Sequence, residues 1–337
     1  MSVATGADGT KIPEVVQGNI ELAKFATQQL RGAKELRGID EAELQRTLVT
    51  ATFTAMGHGS IAACAQFPRV LQMVKLTDSS SKLRVLFIAH AEKVPCWMFI
   101  RWTSQMLPLL QSKTDLQLVK AILKRVAKDY PGVLTYPLMI SEPQLALAAS
   151  KDTVKFMQEL KRLIHIEDLE KFVGELEHLH EPHLIFADYL GEDGLKDKVK
   201  TALVQARLCP QGAARDQNVG SIRRAFAAKF AKAIKKCTDS GKGSTALREE
   251  MQNWFKTKKG NPKLEDYSPW LRGYQAADHA RPIEVPGQYG LGSSRPRPEL
   301  HTHIDSFNEK VLVLNSMRKP KRIKIRASNS TVSADPA

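Results

Sequence analysis

Aromatic residues are scarce in this chain, at 7%, and its 4 cysteines (Cys64, Cys96, Cys209, Cys237) lie far apart. With no CxxC pair and no pairing rhythm, a disulfide scaffold and a thiolate metal knuckle are both excluded. The thiols read as reduced side chains of an intracellular protein. No apolar run approaches the roughly 20 residues that a membrane span needs. The N-terminal MSVATGADGTKIPE has no basic segment leading into an apolar one, so no secretory signal is expected. Acidic residues are too few to balance the basic ones, and 50 Lys and Arg against 36 Asp and Glu leave a formal charge of +14. That excess favours an anionic partner: nucleic acid, an acidic protein face or nucleotide phosphates.

What the chain does have is apolar residues in helical arrangement. At 42% hydrophobic it can bury a core, so global disorder is not expected. From about residue 14 to 128 the pattern is helical. Ile20, Ala23, Phe25, Leu30 and Leu36 give a loose amphipathic face, and Leu44, Leu48, Val49 and Phe53 a clean one. Pro68 is placed to start a new helix in its first turn. Segments 83–90 and 114–128 are expected as helices, flanking an apolar face of Trp97, Ile100, Met106, Leu109 and Leu110. Tyr130–Pro131–Gly132 and Tyr136–Pro137 read as breaks around a short apolar segment, 133–140, that packs deep in the core. Short breaks without intervening strands imply stacked helical hairpins.

A second helical group is expected over 151–259, at 154–163, 166–179, 184–190, 195–208, 221–236 and 245–256. In the basic helix 221–236, Ile222, Phe226, Phe230 and Ile234 recur every four residues and form one buried stripe. Arg223, Arg224, Lys229, Lys232, Lys235 and Lys236 are expected on the remaining surface. Arg223, Arg224, Lys229, Lys232 and Lys236 form a candidate anion-binding set, though the same face also suits plain solvation. From about Gly260 prolines interrupt every long helix. Beyond Lys310 the pattern turns to β, with Val311–Leu314 and Arg322–Arg326 as strands about a turn at Asn315–Lys321. A hairpin with so few sheet partners is marginal in water and needs a covering surface.

Most chemistry-bearing patterns are weak. Glu177–His178–Leu179–His180–Glu181–Pro182–His183 is dense in metal-ligand types, but residues 178 and 180 point to different sides of a helix, and the segment reads as a solvated helix end. Gly241–Lys242–Gly243–Ser244–Thr245 lacks the first glycine of a P-loop and a preceding strand, and reads as a linker. His303–Ile304–Asp305 matches the metal-binding tripeptide of lipid-kinase-like enzymes only by coincidence, since Ser306–Phe307 follows it. The hairpin stands apart. Its turn holds Ser316, Arg318, Lys319 and Lys321, and a turn offering N–H groups, a hydroxyl and a positive field suits phosphate oxygens.

The segments Ile283–Glu284–Val285–Pro286–Gly287–Gln288–Tyr289 and KVLVLNSMRKPKRIKIR (Lys310–Arg326) resemble the entry to the kinase domain of the phosphatidylinositol 3-kinase-related protein kinases. Ser268–Pro269–Trp270, Phe67–Gln72, Val94–Trp97 and Tyr136–Pro137 carry the same resemblance upstream. It implies a mainly α fold: a helical-hairpin solenoid of the FAT type over 1–150 and a helical bundle like the rapamycin-binding insert over 151–259. A Pro-rich connector over 260–300, the start of a kinase N-lobe over 301–326 and a disordered tail over 327–337 complete the layout. It also implies a phosphate loop at Asn315–Lys321 in which Leu314 flanks the adenine and Ser316 meets the phosphates, with Met317 and Arg318 beside them. ATP and Mg²⁺ are the implied cofactors of the full-length family member, with no tight binding expected of this chain alone.

The implied role is phosphorylation of Ser/Thr in the nucleus, in double-strand break repair by non-homologous end joining. The implied partners are DNA ends, a DNA-end-binding heterodimer and the rest of the kinase polypeptide; no membrane is involved. After Arg326 the sequence lacks the family's ATP-binding lysine strand, catalytic loop and metal-binding aspartate, so the chain alone is expected to be inactive. A free-standing helical scaffold, or a nucleic-acid-binding protein with a basic face, is the alternative.

Overall fold

The computed structural model describes residues 14–32, 40–148, 150–184, 217–240, 244–257, 262–279, 281–290, 295–316 and 319–329. The chain divides into two compact units, one of Met1–Ile166 with Pro286–His301 and one of Glu167–Val285 with Thr302–Ala337. The fold is mainly α, with a β-hairpin near the C-terminus.

The first unit is a run of helices whose starts are written in the sequence. These are α1 Glu14–Gly32, α2 Glu41–Gly57, α3 Ile61–Cys64, α4 Phe67–Lys75, α5 Lys82–Ala91, α6 Thr103–Met106, α7 Lys113–Asp129, α8 Pro131–Ala148 and α9 Lys151–Ile164. Asp40, Ser60, Ser81, Ser112 and Ser150 each precede a helix and accept a hydrogen bond from a first-turn amide. Each such cap satisfies a donor that the helix itself cannot, a contribution of about 1 kcal/mol. Pro68 lies in the first turn of α4, as the sequence predicts. Phe53, Phe67, Phe87 and Phe99 meet at the centre, with centroids 5.1–6.4 Å apart in tilted and edge-on pairs. Arg84 ties the rim together. It ion-pairs with Asp115 at 2.8 Å and donates to the carbonyls of Lys75, Thr77 and Thr114.

Three expectations are corrected here. The inward face of α1 is Val16, Ile20, Ala23 and Ala26, whereas Phe25 is 54% exposed; Leu36 lies outside the described residues. The apolar face expected at residues 97–110 is carried by two 3-10 segments, Cys96–Trp102 and Leu107–Gln111, on either side of α6. Pro137, read from the sequence as a break, does not interrupt the helix; α8 runs through it and through Pro143. Each costs a backbone hydrogen bond, offset here by apolar packing that buries Leu134, Leu138 and Leu145. Ile140, expected in the core, is 77% exposed.

The second unit holds α10 (Ile166–Glu177), α11 (Ser221–Ser240), α12 (Ser244–Thr257) and the short helices α13 (Leu264–Tyr267) and α14 (Pro269–Gly273). The predicted stripe is confirmed: Phe226, Phe230 and Ile234 are buried with Leu247, Met251 and Phe255 of α12, and Ile222 lies at the edge. Strand β1 (Ile304–Val313) pairs antiparallel with β2 (Lys321–Ala327), and Val311 faces Ile323 while Val313 faces Lys321. β1 begins at Ile304, seven residues before the expected start, so His303–Ile304–Asp305 leads into a strand. Its register shifts between Ile304 and Ser306 and between Phe307 and Val311, and the broken alternation hides the strand in the sequence.

Helices cover the hairpin where a sheet does not. Phe307 stacks on Phe172 of α10 and meets Tyr274 edge-on, both at 5.8 Å. Of the tail expected to be disordered, Ala327 ends β2, and Ser328 exchanges hydrogen bonds with His303. Residues 330–337 lie outside the described residues, as do the helix expected at 195–208, residues 185–190 of the helix expected at 184–190, and residues 241–243 of the expected linker, whose Ser244 and Thr245 begin α12. Among the described residues no helix is long and apolar enough to cross a membrane.

Candidate phosphate-binding hairpin

The turn between β1 and β2 is closed by its own backbone. Leu314 N donates to Pro320 O at 2.9 Å, Ser316 N to Leu314 O at 3.0 Å and Lys319 N to Ser316 O at 3.1 Å. Lys319 takes a left-handed conformation, φ +44°, which reverses the chain toward Pro320 and β2. Leu314, Asn315 and Ser316 are exposed, so the Ser316 hydroxyl is open to a ligand. Met317 and Arg318 lie outside the described residues.

Lys321, the first residue of β2, faces inward. Its side chain is 3% exposed and its ammonium lies 2.8 Å from Glu181 Oε1 and 5.1 Å from the centroid of the Tyr267 ring. Tyr267 OH donates to the same carboxylate oxygen at 3.2 Å. Burial, followed by Glu181, drives the Tyr267 hydroxyl above its ordinary pKa, so it stays a donor. Burial also lowers the Lys321 pKa, against the opposing pull of Glu181. Beside them His183 stacks on Phe255 with centroids 3.9 Å apart. Its pKa is lowered from 6.5 to about 4, mainly by burial, with Lys319 and Lys321 adding repulsion and Glu181 opposing both.

A second buried carboxylate extends this polar cluster. Glu175 Oε2 accepts from Ser268 Oγ at 2.8 Å and lies 2.8 Å from His178 Nδ1. Ser268 also caps α14 by accepting from Leu271 N. Arg223 donates to Glu177 O, closing the C-terminal end of α10. Close approach brings these parts together: a Cβ on Gly220 would lie 2.3 Å from Asp266 O. Ser221 Oγ, one residue on, donates to Asp266 at 2.6 Å.

This arrangement corrects two readings. The His/Glu-rich segment 177–183 is no solvated helix end, since His178, Glu181 and His183 are all buried. Among the described residues no cluster of three or more His, Cys, Asp or Glu has metal-holding geometry. Arg223 is 1% exposed and not on the basic face. Positions 223, 226, 227, 230 and 234 share one helical face, so Arg223 extends the buried stripe and reaches a carbonyl inside. Lys229, Lys232, Lys235 and Lys236 are exposed and Arg224 is half-buried, which leaves a lysine face on α11. The buried cluster escaped the sequence reading because its partners lie far apart in the chain; only the density of His and Glu near 180 signalled it.

No family model matches the chain. It is 29% identical to the DNA-dependent protein kinase catalytic subunit of Xenopus laevis over 352 residues, 96% of this chain and 8% of that protein. The protein of the same name from Dictyostelium discoideum is 31% identical over 309 residues, 85% of this chain and 7% of the relative. Over a shorter stretch, 78 residues or 23% of the chain, it is 31% identical to the SAGA complex/NuA4 acetyltransferase complex subunit Tra1 of Schizosaccharomyces pombe. The chain thus spans about 8% of the length of the kinase relatives it matches.

Proposed function

We infer, from a chain that corresponds along nearly its whole length to one segment of the DNA-dependent protein kinase catalytic subunit, that it supplies the nucleotide-phosphate hairpin of a Ser/Thr protein kinase. In this reading the turn 314–320 covers the phosphates of ATP with Mg²⁺, Leu314 borders the adenine, and Ser316, Met317 and Arg318 meet the phosphates. The helices of the first unit are the end of the FAT solenoid, and residues 151–259 are the insert beside the active-site cleft. The whole enzyme acts in the nucleus, at DNA ends held by an end-binding heterodimer, in double-strand break repair by non-homologous end joining. The 337 residues alone are inactive, because in-line phosphoryl transfer needs metal ligands and a base that this sequence does not carry.

The observation that carries the reading is the exposed Ser316 turn set between two paired strands, within a region similar to the kinase. Two measurements test it. Purified chain with Mg·ATP and Ser/Thr peptides should transfer no phosphate, while saturating Mg·ATP should shift the backbone signals of residues 314–316. Transfer by the chain alone overturns the assignment of inactivity, and turn signals that ignore Mg·ATP overturn the phosphate assignment.

The lysine face of α11 favours a second reading, a non-catalytic scaffold that grips nucleic acid. Its affinity for duplex DNA should fall steeply with salt and be lost on charge reversal at Lys229, Lys232 and Lys236. Absence of binding at low salt removes that reading.

A further inference from the structure

The turn carries several cations, and one of them is already committed. Lys321 closes the ladder opposite Val313, directly after the Leu314–Pro320 hydrogen bond that shuts the turn. On the outward face of β2, Arg322 and Lys324 are exposed, whereas the side chain of Lys321 turns inward and is 3% exposed. Its partner Glu181 is as deeply placed, 7% exposed, and also accepts from Tyr267 OH. Tyr267 is held in turn by its place in α13, against which Gly220 closes.

A phosphate reaching for this ammonium would have to displace a buried carboxylate. Removing one partner of a buried pair costs far more than rearranging a surface one, because the other charge is left without compensation in a poor solvent. A lysine in that position fixes backbone geometry and does not meet a ligand.

We propose that Lys321 is a positioning residue, its ammonium locked to Glu181 beneath the Tyr267 ring so that it sets the turn 314–320 and leaves phosphate contact to the exposed groups of that turn. Residues 175–183, in the helical part of this unit, thereby determine the shape of a loop about 140 positions further along the chain. The proposal rests on the reading of the turn as a phosphate loop only for its functional consequence; the lock itself is independent of any ligand.

The experiment uses the 337-residue chain and NMR, reading amide exchange at Leu314, Ser316 and Lys319 and their shifts on titration with inorganic triphosphate. Amides of α11 near Phe226 and Phe230 serve as the internal reference for overall folding. Glu181→Gln and Lys321→Met should each speed exchange at the three turn amides by about tenfold or more relative to that reference. Both should weaken triphosphate binding in parallel. Lys321→Arg, and the double exchange Glu181→Lys with Lys321→Glu, should recover most of the protection.

If Lys321 is instead a phosphate ligand, Glu181→Gln frees it and tightens triphosphate binding while Lys321→Met abolishes it, and the proposal is overturned. Turn amides that exchange at the wild-type rate in both single variants overturn it too. A wild-type chain that ignores triphosphate, while its turn amides still respond to the variants, removes the phosphate reading and keeps the lock.

Discussion

The two units are held by different physics. The first is packed around four phenylalanines, with helices started by Ser and Asp caps and the buried ion pair Arg84–Asp115 at its rim. The second has an apolar stripe on α11, but its centre also holds Glu175, His178, Glu181, His183, Arg223 and Ser268. Apolar packing is non-directional and tolerates many sequences. A buried polar cluster stabilises only when every member finds its partner, and then it specifies one geometry. Glu175 with His178 and Ser268, and Glu181 with Tyr267 and Lys321, are paired in this way, whereas among the described residues His183 Nδ1 is buried without a hydrogen-bond partner.

That contrast can be broken from either side. Phe67→Ala removes the ring that meets Phe53, Phe87 and Phe99 and should cost about 3–5 kcal/mol in denaturant unfolding followed by Trp97 and Trp102. A loss below about 1 kcal/mol would refute the central place given to that cluster. In the second unit Gly220→Ala pushes a methyl into the carbonyls of Asp266 and Tyr267 and should cost about 1–3 kcal/mol, read from Trp254 and Trp270. An unchanged midpoint would show that the close approach is not needed.

Acid should separate the units next. The folded pKa of His183, about 4, lies below its ordinary 6.5, so the fold favours the neutral ring. The stabilisation is complete above about pH 6.5 and is lost as pH falls toward 4, by roughly 2 kcal/mol. His183→Phe, which keeps the contact with Phe255, should flatten this decline; an equally steep decline in that variant assigns it to other groups. The smallest effect expected is at a cap: Ser112→Ala should lower the stability of the first unit by about 1 kcal/mol and weaken amide protection at the start of α7. Unchanged protection at Asp115 N, the amide that Ser112 receives, would contradict the capping role.

How much of this was legible follows the same division. Helix starts, the Pro68 entry and the 222/226/230/234 stripe are local patterns and can be read from neighbouring residues. Interior Pro137 misleads, because a rule about local hydrogen bonds is outweighed by burial of the helix that contains it. β1 was half seen, since bulges destroy the alternation over Ile304–Lys310. Of the candidate site, Leu314 and Ser316 lie exposed on the turn that the β pattern of the sequence predicts. Its support was invisible, because Lys321 with Glu181 and Ser268 with Glu175 join positions that only tertiary structure brings together. The inward turn of Arg223 had the same cause, an acceptor at Glu177 that helical periodicity alone does not supply.

The most direct test of the account is photolabelling of the endogenous protein with 8-azido-ATP and Mg²⁺, after isolation with an antibody against residues 60–140. The account predicts label in the peptide containing Leu314–Ser316, on a polypeptide much larger than 37.5 kDa. A single 37.5 kDa species without label in that peptide would contradict it.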